Sequence, residues 1–254
     1  MICLKSEREL ETMDRANALV HEVLRAVERS AAPGVSTGEL DALAEDMIRT
    51  AGGVPAFKGY RGYPGTLCTS VNDVIVHGIP NGNTRLREGD LLSVDCGVLL
   101  DGFYGDAAVS FGIGAVSDEA RRLMEVTREC LEGAVATVMP DARLGDVGAA
   151  VQQHAEAAGF GVVREFVGHG IGRALHEEPQ VPNYGRAGHG QRLRPGLVIA
   201  IEPMITGGSW RVRIDDDGWT ARTEDGKLAA HFEYSVAVTA DGHRVLGRGE
   251  SMNA

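Results

Sequence analysis

Apolar residues recur at helical spacing through Leu10, Met13, Leu19, Val20, Val23, Leu24 and Val27, which predicts a helix with one buried face. Ser6 and Glu9 precede this run as Ser-x-x-Glu, a spacing that lets two side chains satisfy free backbone N–H groups at a helix start. Pro33-Gly34 ends it. A second such box, Ser36 with Glu39, opens a helix carrying Leu40, Leu43, Met47 and Ile48, and Gly52-Gly53 stops it. From Val54 to Gly82 the chain is rich in Gly, Tyr, Thr and Val, which predicts short strands between turns. Asp90–Leu99 and Phe103–Phe111 read as two strands joined by a hairpin turn at Asp101-Gly102. A long amphipathic helix follows over Ser117–Met139, then a shorter one over Leu144–Ala158 that Gly159 ends. Strands are predicted again over Gly161–Val167, Gly196–Met204, Trp210–Ile214, Trp219–Arg222 and Phe232–Thr239.

The order is thus helix, helix, strands, twice over. Pro33–Leu40 is echoed by Pro140–Val147, and His77-Gly78-Ile79 by His169-Gly170-Ile171. No linker or low-complexity segment divides the chain. The expectation is an α/β chain of α+β type, one domain over 1–254, with pseudo-repeats over 1–112 and 113–254 that share a core.

Composition narrows the function. Of 254 residues, 36 are Asp or Glu and 25 Lys or Arg, a net charge of −11 that argues against nucleic acid or an anionic membrane as partner. No apolar run reaches the roughly 20 residues of a membrane span, and no secretory signal opens the chain. Four cysteines without a Cys-x-x-Cys pair make a disulfide framework or structural zinc site unexpected, so the cytoplasm is the expected location.

The chemistry lies in carboxylates on apolar strands. Asp95 follows Leu91-Leu92-Ser93-Val94, and Asp106 sits in the return strand, roughly opposite across the hairpin. Two carboxylates held close in a buried sheet need a shared proton, an arginine or a metal. Glu202 ends the apolar run Val198–Ile201 before Pro203, and Glu233 stands among strand formers. Three histidines have suggestive settings: His77 at a strand end, His169 between glycines, and His176 in Leu175-His176-Glu177-Glu178-Pro179. No phosphate-binding loop, dinucleotide fingerprint, serine nucleophile elbow or zincin helix is present. Oxygen-rich donors with a single imidazole suit two divalent ions bridged by carboxylates, able to activate water and polarise a carbonyl.

Seven separated strings, Val76–Pro80, Val94–Gly97, Gly102–Asp106, Gly168–Gly172, His176–Pro179, Ile201–Met204 and Phe232–Tyr234, resemble those of the type I methionine aminopeptidases in order and spacing. The resemblance covers essentially the whole chain. It implies the pita-bread fold, a curved antiparallel sheet with helices on its outer face and two pseudo-symmetric halves. It implies removal of the initiator methionine from nascent proteins and peptides whose second residue is small. By the same resemblance Asp95 holds one metal ion, Asp106 and Glu233 bridge two, and His169 and Glu202 complete the second site. The ions could be cobalt, manganese, iron or zinc. Glu202, His176 and His77 take the catalytic roles of proton shuttle, oxyanion donor and scissile-amide contact. Phe57, Tyr60, Tyr63, Cys68, Leu175 and Trp219 surround the methionine side chain. Leu175 departs from the aromatic residue often found there, and Arg61 stands where some members carry histidine. A monomer that meets nascent chains at the ribosome is implied. The competing readings are an X-Pro-cleaving relative, normally with an extra N-terminal domain, and a non-catalytic pita-bread protein that binds peptides or ribosomes.

Overall fold

A computed structural model describes residues 2–248; Met1 and residues 249–254, the two ends of the expected 1–254 span, lie outside it. Four helices form where the apolar periodicity places them: α1 (Glu7–Ser30), α2 (Thr37–Thr50), α3 (Asp118–Ala136) and α4 (Leu144–Ala157). Both capping boxes close. Glu9 Oε2 accepts from Ser6 N–H and Oγ–H at 2.9 Å, and Glu39 Oε2 accepts from Ser36 at 2.8 and 2.7 Å. The apolar face of α1 is buried, with Met13, Val20, Val23 and Val27 all at 0% exposure. Each such burial contributes about 1.5–3 kcal/mol to docking the helix.

A nine-stranded antiparallel sheet forms the body. Its main path runs Val54–Pro55, Leu91–Leu100, Phe103–Gly112, Glu233–Val238, Val198–Ile201, Gly168–Gly170 and Glu177–Val181. Leu67–Val71 also pairs with Leu91–Leu100, and His243–Val245 with Glu233–Val238. Two three-stranded sheets complete the strand content. One core lies between α1 and α2 and the sheet, and another between α3 and α4 and the same face of the sheet. This is the pita-bread architecture. No helix among the described residues is long and apolar enough to cross a membrane.

The two helix pairs are held by one backbone frame used twice. Gly34 N–H donates to Leu86 O, Leu86 N–H to Val35 O, and Thr37 N–H to Thr84 O. The same three bonds recur as Asp141 to Leu193, Leu193 to Ala142 and Leu144 to Gln191, each 107 positions on. Gly38 and Gly145 share that offset. A Cβ there would sit 2.9 Å from Asn81 C or 2.3 Å from Arg186 O, so only glycine lets the incoming segment approach so closely.

Several strand boundaries differ from the pattern. The expected strand Gly196–Met204 splits into Val198–Ile201 and Met204–Thr206, which lie in different sheets. Pro203, which has no N–H to give, stands at the break. Gly161–Val167 contracts to Gly161–Val162, with Gly168–Gly170 forming separately, and the next two strands shift to Val212–Ile214 and Ala221–Thr223. Glu177–Val181, Ala229–His231 and His243–Val245 are strands that the pattern does not predict.

Candidate active site

Asp95 and Asp106 come from the long hairpin, whose turn has positive φ at both Asp101 (50°) and Gly102 (80°). That two-residue turn pairs Leu100 with Phe103, so Asp95 pairs with Ala108 and Asp106 with Gly97. The two acids are therefore diagonal neighbours on one face, not directly opposite as their spacing suggests. Gly97 leaves the space beside Asp106: a Cβ there would lie 2.5 Å from Phe57 Cε1.

Glu202 and Glu233 arrive differently. Each stands where the chain crosses between the large sheet and a three-stranded one. Ile201 pairs with Tyr234 on one side of the crossing, and Met204 with His231 on the other. Asn183 Nδ2 donates to Glu202 O at 2.9 Å and fixes the crossing. His169, on the short Gly168–Gly170 strand, completes the group. Its Nδ1–H donates to Gly170 O (2.9 Å), which leaves Nε2 unprotonated. That nitrogen lies 3.7 Å from Glu202 Oε1 and 3.9 Å from Asp106 Oδ2.

The electrostatics of this floor are uncompensated. Burial, then Glu233 and Asp95, push the Asp106 carboxyl well up. Burial, then Asp95 and Asp106, raise Glu202; burial, then Glu202 and Asp95, raise Glu233. Burial lifts Asp95 to about 7 and lowers His169 to about 4. Asp95 Oδ1, Asp106 Oδ1 and Glu233 Oε1 are buried and have no hydrogen-bond partner. Among the described residues no lysine or arginine pairs with any of the four acids. Donor atoms of Asp106, His169 and Glu233 lie within 4.8 Å of one another. Three orphaned acceptors and a free imidazole nitrogen are a donor set that fits divalent cations.

All thirteen residues singled out from the sequence line one cavity of about 230 Å³. The wall is an aromatic and aliphatic cluster of Phe57, Tyr63, Cys68 and Leu175, with Tyr60 and Trp219 packed against it. Tyr63 Oη lies 3.0 Å from both Leu67 O and Gly78 O, and its ring meets Trp219 edge-on at 5.1 Å. His77, at φ 60°, presents its ring edge-on to Phe166 at 5.2 Å. His176 stands exposed at the rim, its Nδ1 2.8 Å from Tyr60 Oη and its ring 4.3 Å from that of His169. The His176 loop is pinned from behind. Glu177 Oε1 accepts from Arg173 N–H at 2.8 Å, while Oε2 meets the buried Lys5 Nζ at 2.6 Å.

One residue near the floor is not marked by the sequence pattern. His231 is 2% exposed, its Nε2 has no partner, and that atom lies 3.9 Å from Glu202 Oε2. Its place two positions before Glu233, the period of a strand face, is the available signal.

Comparison with known proteins agrees with this geometry. The sequence profile of metallopeptidase family M24 matches residues 11–240. A methionine aminopeptidase of Clostridium acetobutylicum is 47% identical over 246 residues, covering 97% of this chain and 98% of that protein. Methionine aminopeptidase 1 of Bacillus subtilis is 46% identical over 251 residues, covering 98% and 100%. The crystal structure of a methionine aminopeptidase from Thermotoga maritima superposes with a TM-score of 0.96 at 44% identity, covering 98% of this chain and all of that one. A prolidase from Pyrococcus furiosus, at 21% identity and a TM-score of 0.77, shares the fold.

Proposed function

The chain belongs to metallopeptidase family M24, and from that premise we propose that it removes the N-terminal methionine from peptides and nascent proteins whose second residue is small. The observation that carries this reading is the junction of two features in one cavity: a floor of four carboxylates, three of them with a buried oxygen that has no hydrogen-bond partner, and an apolar wall that includes Cys68. The reaction is metal-dependent. Asp95, Asp106, His169, Glu202 and Glu233 would hold two divalent ions, with cobalt, manganese, iron and zinc the candidates. When bound, such ions supply Lewis-acid polarisation of the scissile carbonyl and make water acidic enough to attack near neutral pH.

The chain's own residues do the rest. Methionine fills the pocket between Phe57, Tyr63, Cys68, Leu175 and Trp219, where a flexible thioether packs well against rings. Tyr60 closes the side toward the rim. The acids lie at the closed end, so the substrate enters amine first, which supports cleavage of the terminal residue alone. Glu202 takes the proton of the attacking water and passes it to the departing amine. His176, held by the Tyr60 hydroxyl, donates to the oxyanion of the tetrahedral intermediate. His77 contacts the scissile amide from the opposite wall. The frame repeated 107 positions apart supports pseudo-symmetric halves, 1–112 and 113–254, that each bring acids to the seam. The enzyme works as a cytoplasmic monomer on chains emerging from the ribosome.

The test is release of methionine from Met-Ala-Ser and Met-Leu-Ser by chelator-stripped protein with each metal restored in turn. Metal-dependent release from the alanine peptide alone is expected. Release without metal, or equal release from both, would contradict the reading.

A further inference from the structure

Arg61 is the one lysine or arginine among the described residues that line the cavity. It sits at the mouth, exposed, while the four carboxylates lie at the bottom. Its guanidinium carbon is 5.4 Å from the centre of the Tyr60 ring, and Tyr60 in turn bonds His176. The charge reaches that histidine: after burial, Arg61 is the cause that lowers the proton affinity of His176. Arg61 makes no ion pair among the described residues.

The backbone fixes this placement. Arg61 has φ 49° and ψ 25°, the left-handed region that an L residue with a Cβ rarely adopts. Gly59 (φ 87°) and Gly62 (φ 90°) flank it. Gly59 N–H donates to Tyr63 O at 2.7 Å, Tyr60 N–H to Phe57 O at 2.9 Å and Tyr63 N–H to Tyr60 O at 2.9 Å. A tight, hydrogen-bonded turn therefore holds a single unpaired cation beside the path by which the rest of a substrate must leave the cavity.

We infer that Arg61 reads the substrate beyond the cleaved bond and favours peptides with acidic residues at their third and fourth positions. The inference rests on the aminopeptidase reading and adds a charge preference to it. Methionine and the second residue occupy the closed part of the cavity. An extended chain advances about 3.3 Å per residue, which brings the next side chains to the rim within reach of a long arginine. A carboxylate there meets an unpaired guanidinium with five donors. The chain's net charge of −11 acts in the opposite sense, since the general field attracts basic peptides. A preference for acidic peptides must therefore come from a local cation.

The experiment compares kcat/KM for three amidated peptides, Met-Ala-Asp-Asp, Met-Ala-Ser-Ser and Met-Ala-Lys-Lys, on metal-loaded enzyme at low salt. The acidic peptide is expected to exceed the basic one by about fivefold, the scale of a partly exposed ion pair. That ratio should shrink toward one in 0.5 M salt, where the screening length falls to about 4 Å. Arg61→Lys should keep part of the preference, Arg61→Gln should flatten it, and Arg61→Glu should invert it. All three variants keep a Cβ at the same strained backbone position, so they differ from arginine in the head group. If Arg61→Glu changes all three peptides in the same proportion, Arg61 only stacks on Tyr60 and the inference is wrong. A native enzyme that releases methionine equally from the acidic and basic peptides overturns it while leaving the aminopeptidase reading standing. No release from any of the three overturns that reading, and this inference falls with it.

Discussion

At the floor of the cavity, Asp95, Asp106 and Glu233 each carry a buried carboxylate oxygen with nothing to bond to, and each carboxyl is pushed up by burial. At the wall a few residues away, Tyr63 has its hydroxyl between two carbonyls and its ring against Trp219, and Leu175 is 3% exposed among apolar neighbours. The wall is satisfied by the protein alone. The floor is not, and a buried unpaired acceptor costs about 1–3 kcal/mol. Such a cost is sustained where something else completes the site. On the function proposed above, the contrast separates two tasks: the floor would perform the chemistry, and the wall would choose what reaches it.

Perturbing each end in turn should expose that division. The largest effect belongs to the floor. Glu202→Gln should lower kcat for Met-Ala-Ser by about 10³-fold, the scale of a lost general base, with little change in KM. Retention of a tenth or more of native kcat would remove Glu202 from the proton path.

The second effect is one of stability. Asp95, Asp106, Glu202 and Glu233 bind protons more tightly in the folded chain than in the unfolded one. Through these acids the folded state binds more protons than the unfolded state, and stability falls with rising pH. His21, His77, His169, His176 and His231, lowered by burial, act in the opposite sense and are neutral in both states above about pH 7. For Asp95 the contribution is complete below about 4 and lost as pH rises through about 7. Chelator-stripped protein should therefore lose about 5 °C in Tm between pH 7 and pH 9, where only the acids still change the balance, and manganese should restore it. An unchanged or rising Tm would mean that the acids are compensated within the protein.

The smallest effect belongs to the wall. Leu175→Ala should raise KM for Met-Ala-Ser about tenfold while kcat moves less than about threefold, and should admit bulkier first residues. A collapse of kcat equal to that of Glu202→Gln would erase the distinction between floor and wall.

The two ends also differ in how legible they are in the sequence. A carboxylate in an apolar strand is conspicuous, so Asp95, Asp106 and Glu202 stand out from their neighbours alone. Even there the expected register is off by one diagonal, because the positive-φ turn at Asp101-Gly102 lies one residue past the midpoint between the two acids. The wall carries no such signal. Phe57, Leu175 and Trp219 are ordinary apolar residues, far apart in the chain, and only the family resemblance brings them together. The helices are legible because Ser6–Glu9 and Ser36–Glu39 mark their starts. The strand Glu177–Val181 is not, since Glu-Glu-Pro-Gln-Val carries neither alternation nor strand formers and its place is set by pairing with Gly168–Gly170. Pro203 hides a change of sheet inside what reads as one apolar run, and that change is what turns Glu202 into the cavity.

The central claim is that the floor is a metal site. The most direct measurement is the ion content of stripped protein re-equilibrated with manganese, counted per chain for the native enzyme and for Asp106→Asn, with circular dichroism confirming that both are folded. Native protein should retain bound manganese after desalting, and the folded variant should lose most of it. Equal manganese in both, or none in the native protein, would contradict the account.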